Sequence, residues 1–171
     1  KKKIIRTEVS PWQPTDVDHV VKQMAARVRK NGLSGVEGDV FTQKSAYASG
    51  LWERIAAAPI WVRVRAARRC VTQEVFALRS GDMVLEGRIP LAWLEDEKWI
   101  VVYFHEGEMF NAGTGQARVC EKLGPSAWAL EQLTPFPVRE LIFFFIHQQQ
   151  EVRIAWNTET RASLQGQLFR V

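Results

Sequence analysis

The segment TQEVFALRSGDMVLEGRIPL, residues 72–91, predicts two strands joined by a tight turn. Thr72–Leu78 and Met83–Leu91 are rich in apolar and β-branched residues, whereas Arg79-Ser80-Gly81-Asp82 has the composition of a turn. A connection this short joins antiparallel strands. The segment therefore indicates an antiparallel hairpin, to which the strands predicted elsewhere in the chain would add.

Further strands are predicted on the C-terminal side of this hairpin. Pro125–Leu133 favours a short helix, since proline suits the first turn of a helix. The Ile-Phe-Phe-Phe-Ile run near residue 144 favours a buried strand over a helix. The predicted strands are Trp99–Phe104, Val138–His147, Val152–Trp156 and Ser163–Val171, the last two closing as a hairpin around Asn157-Thr158-Glu159-Thr160.

Apolar and polar residues also alternate just before the hairpin. Val62 and Val64 alternate with Arg63 and Arg65, and this period of two predicts another half-buried strand. Residues 47–58 favour a helix that Pro59 ends. Its predicted apolar face carries Leu51, Trp52 and Ile55.

The N-terminal region predicts an arm followed by a helix. Residues 1–14 contain Lys1–Lys3, Pro11 and Pro14, and indicate a flexible basic arm. Residues 15–31 predict an amphipathic helix, with one apolar stripe made of Val17, Val20, Val21, Met24 and Val28. We therefore expect one α+β domain over residues 15–171. In it, N-terminal helices precede a mostly antiparallel sheet of about six strands with one inserted helix.

Composition excludes several classes of protein. The chain has 171 residues, of which 46% are hydrophobic and 25% charged, as in a folded soluble domain rather than a disordered one. Its longest apolar run, Leu141–Ile146, is far shorter than a membrane span, so we expect no membrane partner. Two cysteines are too few for a disulfide framework, and a reduced cytoplasmic location is the expectation.

Charge is distributed unevenly along the chain. Residues 1–79 carry 15 Lys and Arg against 7 Asp and Glu, a net charge of +8. Residues 80–171 carry 8 against 12, a net charge of −4. A basic half favours contact with a polyanion, although it also suits docking on the acidic half.

The predicted strand at 60–69 provides the candidate site. Arg63, Arg65 and Arg69 would project from one strand face, where guanidinium groups hold phosphates or carboxylates by paired hydrogen bonds. In the alternative interpretation, the arginines pair with acids such as Glu95 and the nearby tryptophans belong to the core. The full predicted polyanion-binding set is Arg27, Arg29, Lys30, Arg63, Arg65 and Arg69, with Trp52 and Trp61 as candidates for stacking on bases.

The sequence predicts no catalytic residue, no metal and no cofactor. His19, His105 and His147 are scattered without the spacing of metal ligands. Cys70 and Cys120 have no histidine placed beside them as a base, and are interpreted as structural thiols. Whether the chain is an enzyme stays open, with a non-catalytic role favoured.

One part of the chain resembles a known family. Residues 71–94, with their Gly81-Asp82 turn, resemble the central hairpin of chorismate lyase and of the related UTRA-type effector domains of GntR regulators. Residues 164–169 are similar to the closing strand of the lyase. The resemblance implies an antiparallel α+β sheet around a pocket for a small aromatic carboxylate. The lyase arginine falls on Gln73 and its acid on Gly166 or Gln167, which argues against lyase activity.

Three functions follow from these observations. The leading hypothesis is a non-catalytic accessory module that binds a nucleic-acid backbone, or an acidic protein surface, through its basic half. The second is a pocket protein, enzyme or sensor, for a small aromatic carboxylate. The third is a structural subunit of a homo-oligomer or larger assembly, in which basic and acidic faces associate head to tail.

Overall fold

A computed structural model describes residues 50, 53–80, 83–111 and 114–168. In these residues the chain has an α+β fold built on one five-stranded sheet, as predicted in class, with five strands instead of about six. The strands lie in chain order across the sheet: β1 (Cys70–Ser80), β2 (Met83–Glu95), β3 (Lys98–His105), β4 (Val138–Phe145) and β5 (Gln150–Ala155). The helices are α1 (Ile60–Ala66), α2 (Gly115–Leu133) and α3 (Thr158–Leu168), preceded by a helical turn at 53–56.

Three of the four strand pairs are antiparallel, which confirms a mostly antiparallel sheet. The exception is the central pair, because β3 runs parallel to β4. Parallel neighbours need a crossover connection, and α2 supplies it. The sequence-based prediction contained this helix but not the parallel pair.

Two hydrophobic cores cover the two faces of the sheet. On one face, α2 residues such as Val119 and Leu123 pack with Trp99 and Leu141 of the strands. On the other face, residues 55–67 pack on Leu91, Trp93, Ile100 and Ile142. Because β4 lies between both cores, its Leu-Ile-Phe-Phe-Phe run is buried on both sides, and the predicted strand is confirmed.

The β1–β2 hairpin is confirmed and is longer than predicted. Only Leu91–Glu95 of β2 pairs with β3, so the rest of the hairpin forms a two-stranded ribbon beyond β3. Regular alternation breaks at Gln73, whose φ is 53°, opposite Pro90, which has no N–H. The Gln73 side chain donates instead to the Pro90 carbonyl at 3.1 Å.

The predicted strand at 60–69 is wrong, since residues 60–66 form α1. The buried positions are Ile60, Trp61, Val64 and Ala67, which is the spacing of a helix face. Val62 is 70% exposed, although the alternating pattern required it to face the core. A short alternation of valine and arginine fits both periods, and burial against the sheet selects the helix.

The predicted C-terminal hairpin is wrong in its second strand, because residues 158–168 form α3. Its first strand, predicted at 152–156, is present as β5. Asn157 and Thr160 form a reciprocal helix cap instead of a turn. The Asn157 side-chain oxygen accepts from the Thr160 N–H at 3.0 Å, and the Thr160 hydroxyl oxygen accepts from the Asn157 N–H at 2.8 Å. The segment similar to a closing strand of the lyase is therefore helical up to residue 168.

The inserted helix begins earlier than predicted. It runs over 19 residues from Gly115, with Pro125 inside it instead of at its first turn. Buried residues on both sides of the proline, among them Val119, Leu123 and Leu130, hold the helix on the sheet. Tertiary packing thus overrides the local preference of proline for a helix start.

Other N-terminal predictions lie mostly outside the described residues. These are the arm at 1–14, the helix at 15–31 and the first half of the helix at 47–58. The second half of the latter is described, and Ile55 is buried as predicted. In the described part of the chain, no helix combines the length and apolar character needed to cross a membrane.

Candidate polyanion-binding site

Arg63 projects from α1 toward the end of the sheet where β2 finishes and β4 begins. Its Nε donates to Glu95 Oε2 at 3.1 Å, and its Nη2 donates to Glu140 Oε1 at 2.8 Å. Its guanidinium lies 5.3 Å from the centre of the Trp93 ring. Arg63 is therefore engaged by two carboxylates and an aromatic ring of the same domain.

Glu95 is the centre of this network. It also accepts hydrogen bonds from Arg139 Nη2 at 2.8 Å and from Trp93 Nε1 at 3.1 Å. Burial raises the pKa of Glu95, but the hydrogen bonds from Arg139, Arg63 and Trp93 outweigh it and hold the pKa at about 2. The carboxylate is consequently ionised at neutral pH and balances the charge of the arginines around it.

Apart from Asp96, whose carboxylate lies 3.9 Å from Arg139, the network is balanced in charge. It joins two arginines, Arg63 and Arg139, to two glutamates, Glu95 and Glu140. Burial lowers the pKa of Arg63, but the hydrogen bonds and charges of Glu140 and Glu95 raise it overall. Arg63 Nη1 is buried and has no hydrogen-bond partner among the described residues. We name these four side chains the α1 clamp, since they fix α1 against the sheet.

Three other arginines at this corner stand apart from the clamp. Arg65 lies in the last turn of α1, and Arg68 and Arg69 lie in the connection to β1. All three are exposed, and no described carboxylate forms an ion pair with any of them. We name Arg65, Arg68 and Arg69 the arginine triplet.

Arg69 is held in place by the end of the sheet. Its guanidinium lies 5.7 Å from the centre of the Phe136 ring, and its backbone carbonyl accepts from the Leu94 N–H at 2.9 Å. These contacts orient Arg69 while leaving its side chain exposed to solvent. An oriented guanidinium has less conformational entropy to lose when it binds an anion.

The prediction that Arg63, Arg65 and Arg69 share a strand face is wrong, because residues 60–66 are helical. Arg63 pairs with Glu95, as the alternative interpretation proposed for it, whereas Arg65 and Arg69 remain exposed. Arg68, which is not in the predicted set, is exposed beside Arg69. The remaining predicted residues Arg27, Arg29, Lys30 and Trp52 lie outside the described residues.

Trp61 is not placed for stacking on bases. Its side chain is 2% exposed, its Nε1 donates to the Ile55 carbonyl at 2.6 Å, and its ring stacks on Phe104 at 5.6 Å between centres. These contacts place it in the core between α1 and the sheet. The prediction that it stacks on a nucleic-acid base is therefore wrong.

Titratable groups elsewhere in the described part show no catalytic arrangement. His105 lies among aromatic rings including Phe143 and Phe145, and burial, followed by the charges of Arg118 and Lys122, lowers its pKa. Burial raises the pKa of the Cys120 thiol, which makes it a poor nucleophile. No three described His, Cys, Asp or Glu side chains are grouped so as to hold a metal ion.

The chain has no match to any protein-family model, and no curated protein matches it significantly. The resemblance to chorismate lyase and UTRA-type domains therefore stays a prediction. Its hairpin segment does form β1 and β2, but this hairpin alone does not define a family.

Proposed function

We propose that this protein is a non-catalytic binding module whose arginine triplet contacts a polyanion, namely the phosphate backbone of a nucleic acid. The observation that carries the proposal is the contrast at one corner of the fold. Arg63 is neutralised by Glu95 and Glu140, whereas Arg65, Arg68 and Arg69 are exposed without a described acidic partner.

The chemistry of these side chains supports phosphate as the ligand. Guanidinium groups stay charged at all physiological pH values and bind phosphate oxygens with two parallel hydrogen bonds. Three of them within five residues offer a short track of positive charge. Contacts of this kind position a backbone without distinguishing bases, so we expect binding that is largely independent of sequence.

The charge of the whole chain is consistent with this proposal. The triplet lies in the half that carries a net charge of +8, together with Arg27, Arg29 and Lys30. In the proposal, these residues extend the basic surface. A cytoplasmic location belongs to the same proposal and would place the protein among nucleic acids.

The test is a titration of a short, fluorescently labelled single-stranded oligonucleotide with the protein, followed by the anisotropy of the label, at two salt concentrations. For each phosphate contact, log K falls by about 0.7 per unit of log[salt]. Three contacts therefore weaken binding roughly 20-fold between about 50 and 200 mM salt. Replacing all three triplet arginines by glutamine should reduce the affinity at low salt and remove about two units of the salt slope.

A matched control removes the same amount of charge elsewhere. Arg88, Arg118 and Lys122 are exposed and lie on β2 and α2, away from the triplet. Their replacement by glutamine should leave the salt slope nearly unchanged. Equal losses in both triple variants would show that net charge, and not the triplet, drives binding. A flat titration of the natural protein would exclude nucleic acid, and an acidic peptide such as polyglutamate would be the next ligand tested.

A further inference from the structure

The outer edge of β1 has no strand beside it in the described part of the chain. β1 is 11 residues long, whereas β5 at the opposite edge is only 6. Proteins usually protect exposed edges by short strands, prolines or lysines. β5 is short and exposes Glu151 and Arg153, but β1 contains neither proline nor lysine.

The regular part of this edge is the second half of β1, residues 74–80. The positive φ of Gln73 interrupts the strand, and residues 74–80 then pair with β2 without a break. Their sequence is Glu-Val-Phe-Ala-Leu-Arg-Ser, and Ala77 is the midpoint. Ala77 is exposed, and its neighbour Val75 is 62% exposed.

We propose that this edge binds the same edge of a second copy of the chain, forming an antiparallel dimer around a two-fold axis at Ala77. A two-fold interface is self-complementary, so each residue before Ala77 meets one equally far after it in the partner. The two sheets then form one continuous sheet, joined by backbone hydrogen bonds along β1.

The register follows from length and charge. An axis at Ala77 pairs all seven regular residues, whereas an axis at Phe76 or Leu78 pairs only five. An axis at Glu74 or Arg79 would place like charges directly opposite each other, which is unfavourable. With the axis at Ala77, Val75 lies opposite Arg79 and Phe76 lies opposite Leu78. The arginine stem then covers the exposed valine.

The first experiment measures the mass of the full natural chain by sedimentation equilibrium over about 1 to 200 µM, a range that covers weak and moderate dimers. We expect the mass to rise from monomer to dimer. A monomer over the whole range would overturn the proposal, whatever the variants do.

The informative variant is Ala77→Lys. Within one chain, position 77 lies opposite Glu86, so the new lysine gains an opposite charge and the ribbon should stay folded. Across the two-fold axis, two lysines would face each other, and we expect the dimer to weaken at least tenfold. The matched control is Ala117→Lys, which makes the same substitution at an exposed position of α2, on a different element from β1.

A charge swap makes the test independent of folding losses. The double variant Ala77→Glu with Glu86→Lys keeps opposite charges paired within the ribbon but places two glutamates at the axis. It should not self-associate, yet it should form a heterodimer when mixed with Ala77→Lys. A dimer unaffected by Ala77→Lys, equal disruption by Ala117→Lys, or no heterodimer on mixing would each contradict the register at Ala77.

Discussion

Replacing Glu95 by glutamine is expected to destabilise the fold by about 2 kcal/mol at neutral pH. The carboxylate accepts hydrogen bonds from Arg63, Arg139 and Trp93. Glutamine has one acceptor oxygen, and its amide group would turn a donor toward a guanidinium that also only donates. The variant therefore leaves the Arg63 charge with Glu140 as its remaining partner.

The magnitude follows from the pKa of Glu95, which falls from 4.5 to about 2 in the folded protein. At 1.36 kcal/mol for each pH unit, this difference corresponds to about 3 kcal/mol. Since 32% of the Glu95 side chain is exposed, solvent screening reduces the contribution, and about 2 kcal/mol is our expectation.

The contribution of Glu95 to the stability of the fold also depends on pH. A carboxyl group with a lowered pKa stabilises the fold above the pKa of the unfolded chain, and this stability is lost as the pH falls from 4.5 toward 2. By pH 2.5 roughly three-quarters of this stabilisation is lost. The difference in the free energy of unfolding between the natural protein and the variant should therefore fall below about 1 kcal/mol.

Urea unfolding followed by circular dichroism at pH 7 and pH 2.5 measures both differences. Glu97→Gln is the control, since Glu97 belongs to the same turn, is exposed and has no ion pair among the described residues. Its effect should stay below about 0.5 kcal/mol at either pH. A Glu95→Gln protein as stable as the natural one at pH 7, or a cost that does not change with pH, would refute the assignment of Glu95 as the centre of the α1 clamp.

Two further substitutions test the packing of the helices. Trp61→Ala should lower the free energy of unfolding by about 3 to 5 kcal/mol, because it empties a fully buried site between α1 and the sheet. A loss below about 1 kcal/mol in urea unfolding would contradict that burial. Thr160→Ala should lower the free energy of unfolding by about 1 kcal/mol, because it removes half of the α3 cap. Thr158→Ala, at an exposed position of the same turn, should have little effect. Equal losses of stability in thermal unfolding would count against the cap.

Local patterns were enough for part of the fold. The β1–β2 hairpin is determined by a turn and two adjacent strands, so it is visible in a short window of sequence. The strand at 138–145 is equally clear from its β-prone aromatic run. Its parallel pairing with β3 was not predicted, because that pairing depends on α2, which contains Pro125 in its interior instead of at its first turn.

Other elements depend on contacts far apart in the sequence. Asn157-Thr158-Glu159-Thr160 suits either a hairpin turn or a helix cap, and Leu164 packing against Gly124 of α2 favours the helix. α1 likewise needs the sheet to bury Trp61 and Val64. The residues near these segments in the sequence do not indicate which distant residues will pack against them.

The candidate site shows how a functional conclusion changes when a predicted strand is replaced by a helix. As a strand, residues 63–69 would present Arg63, Arg65 and Arg69 as one equivalent face. As a helix followed by a short connection, the same residues fall into two groups, because Arg63 turns toward Glu95 and Glu140. The clamp uses its arginine charge to hold α1 in place, and this fixed helix end then presents Arg65, with Arg68 and Arg69 beside it, to solvent. Loss of the clamp would therefore weaken the proposed polyanion binding only by loosening α1, whereas loss of the triplet would weaken it in a fully folded protein.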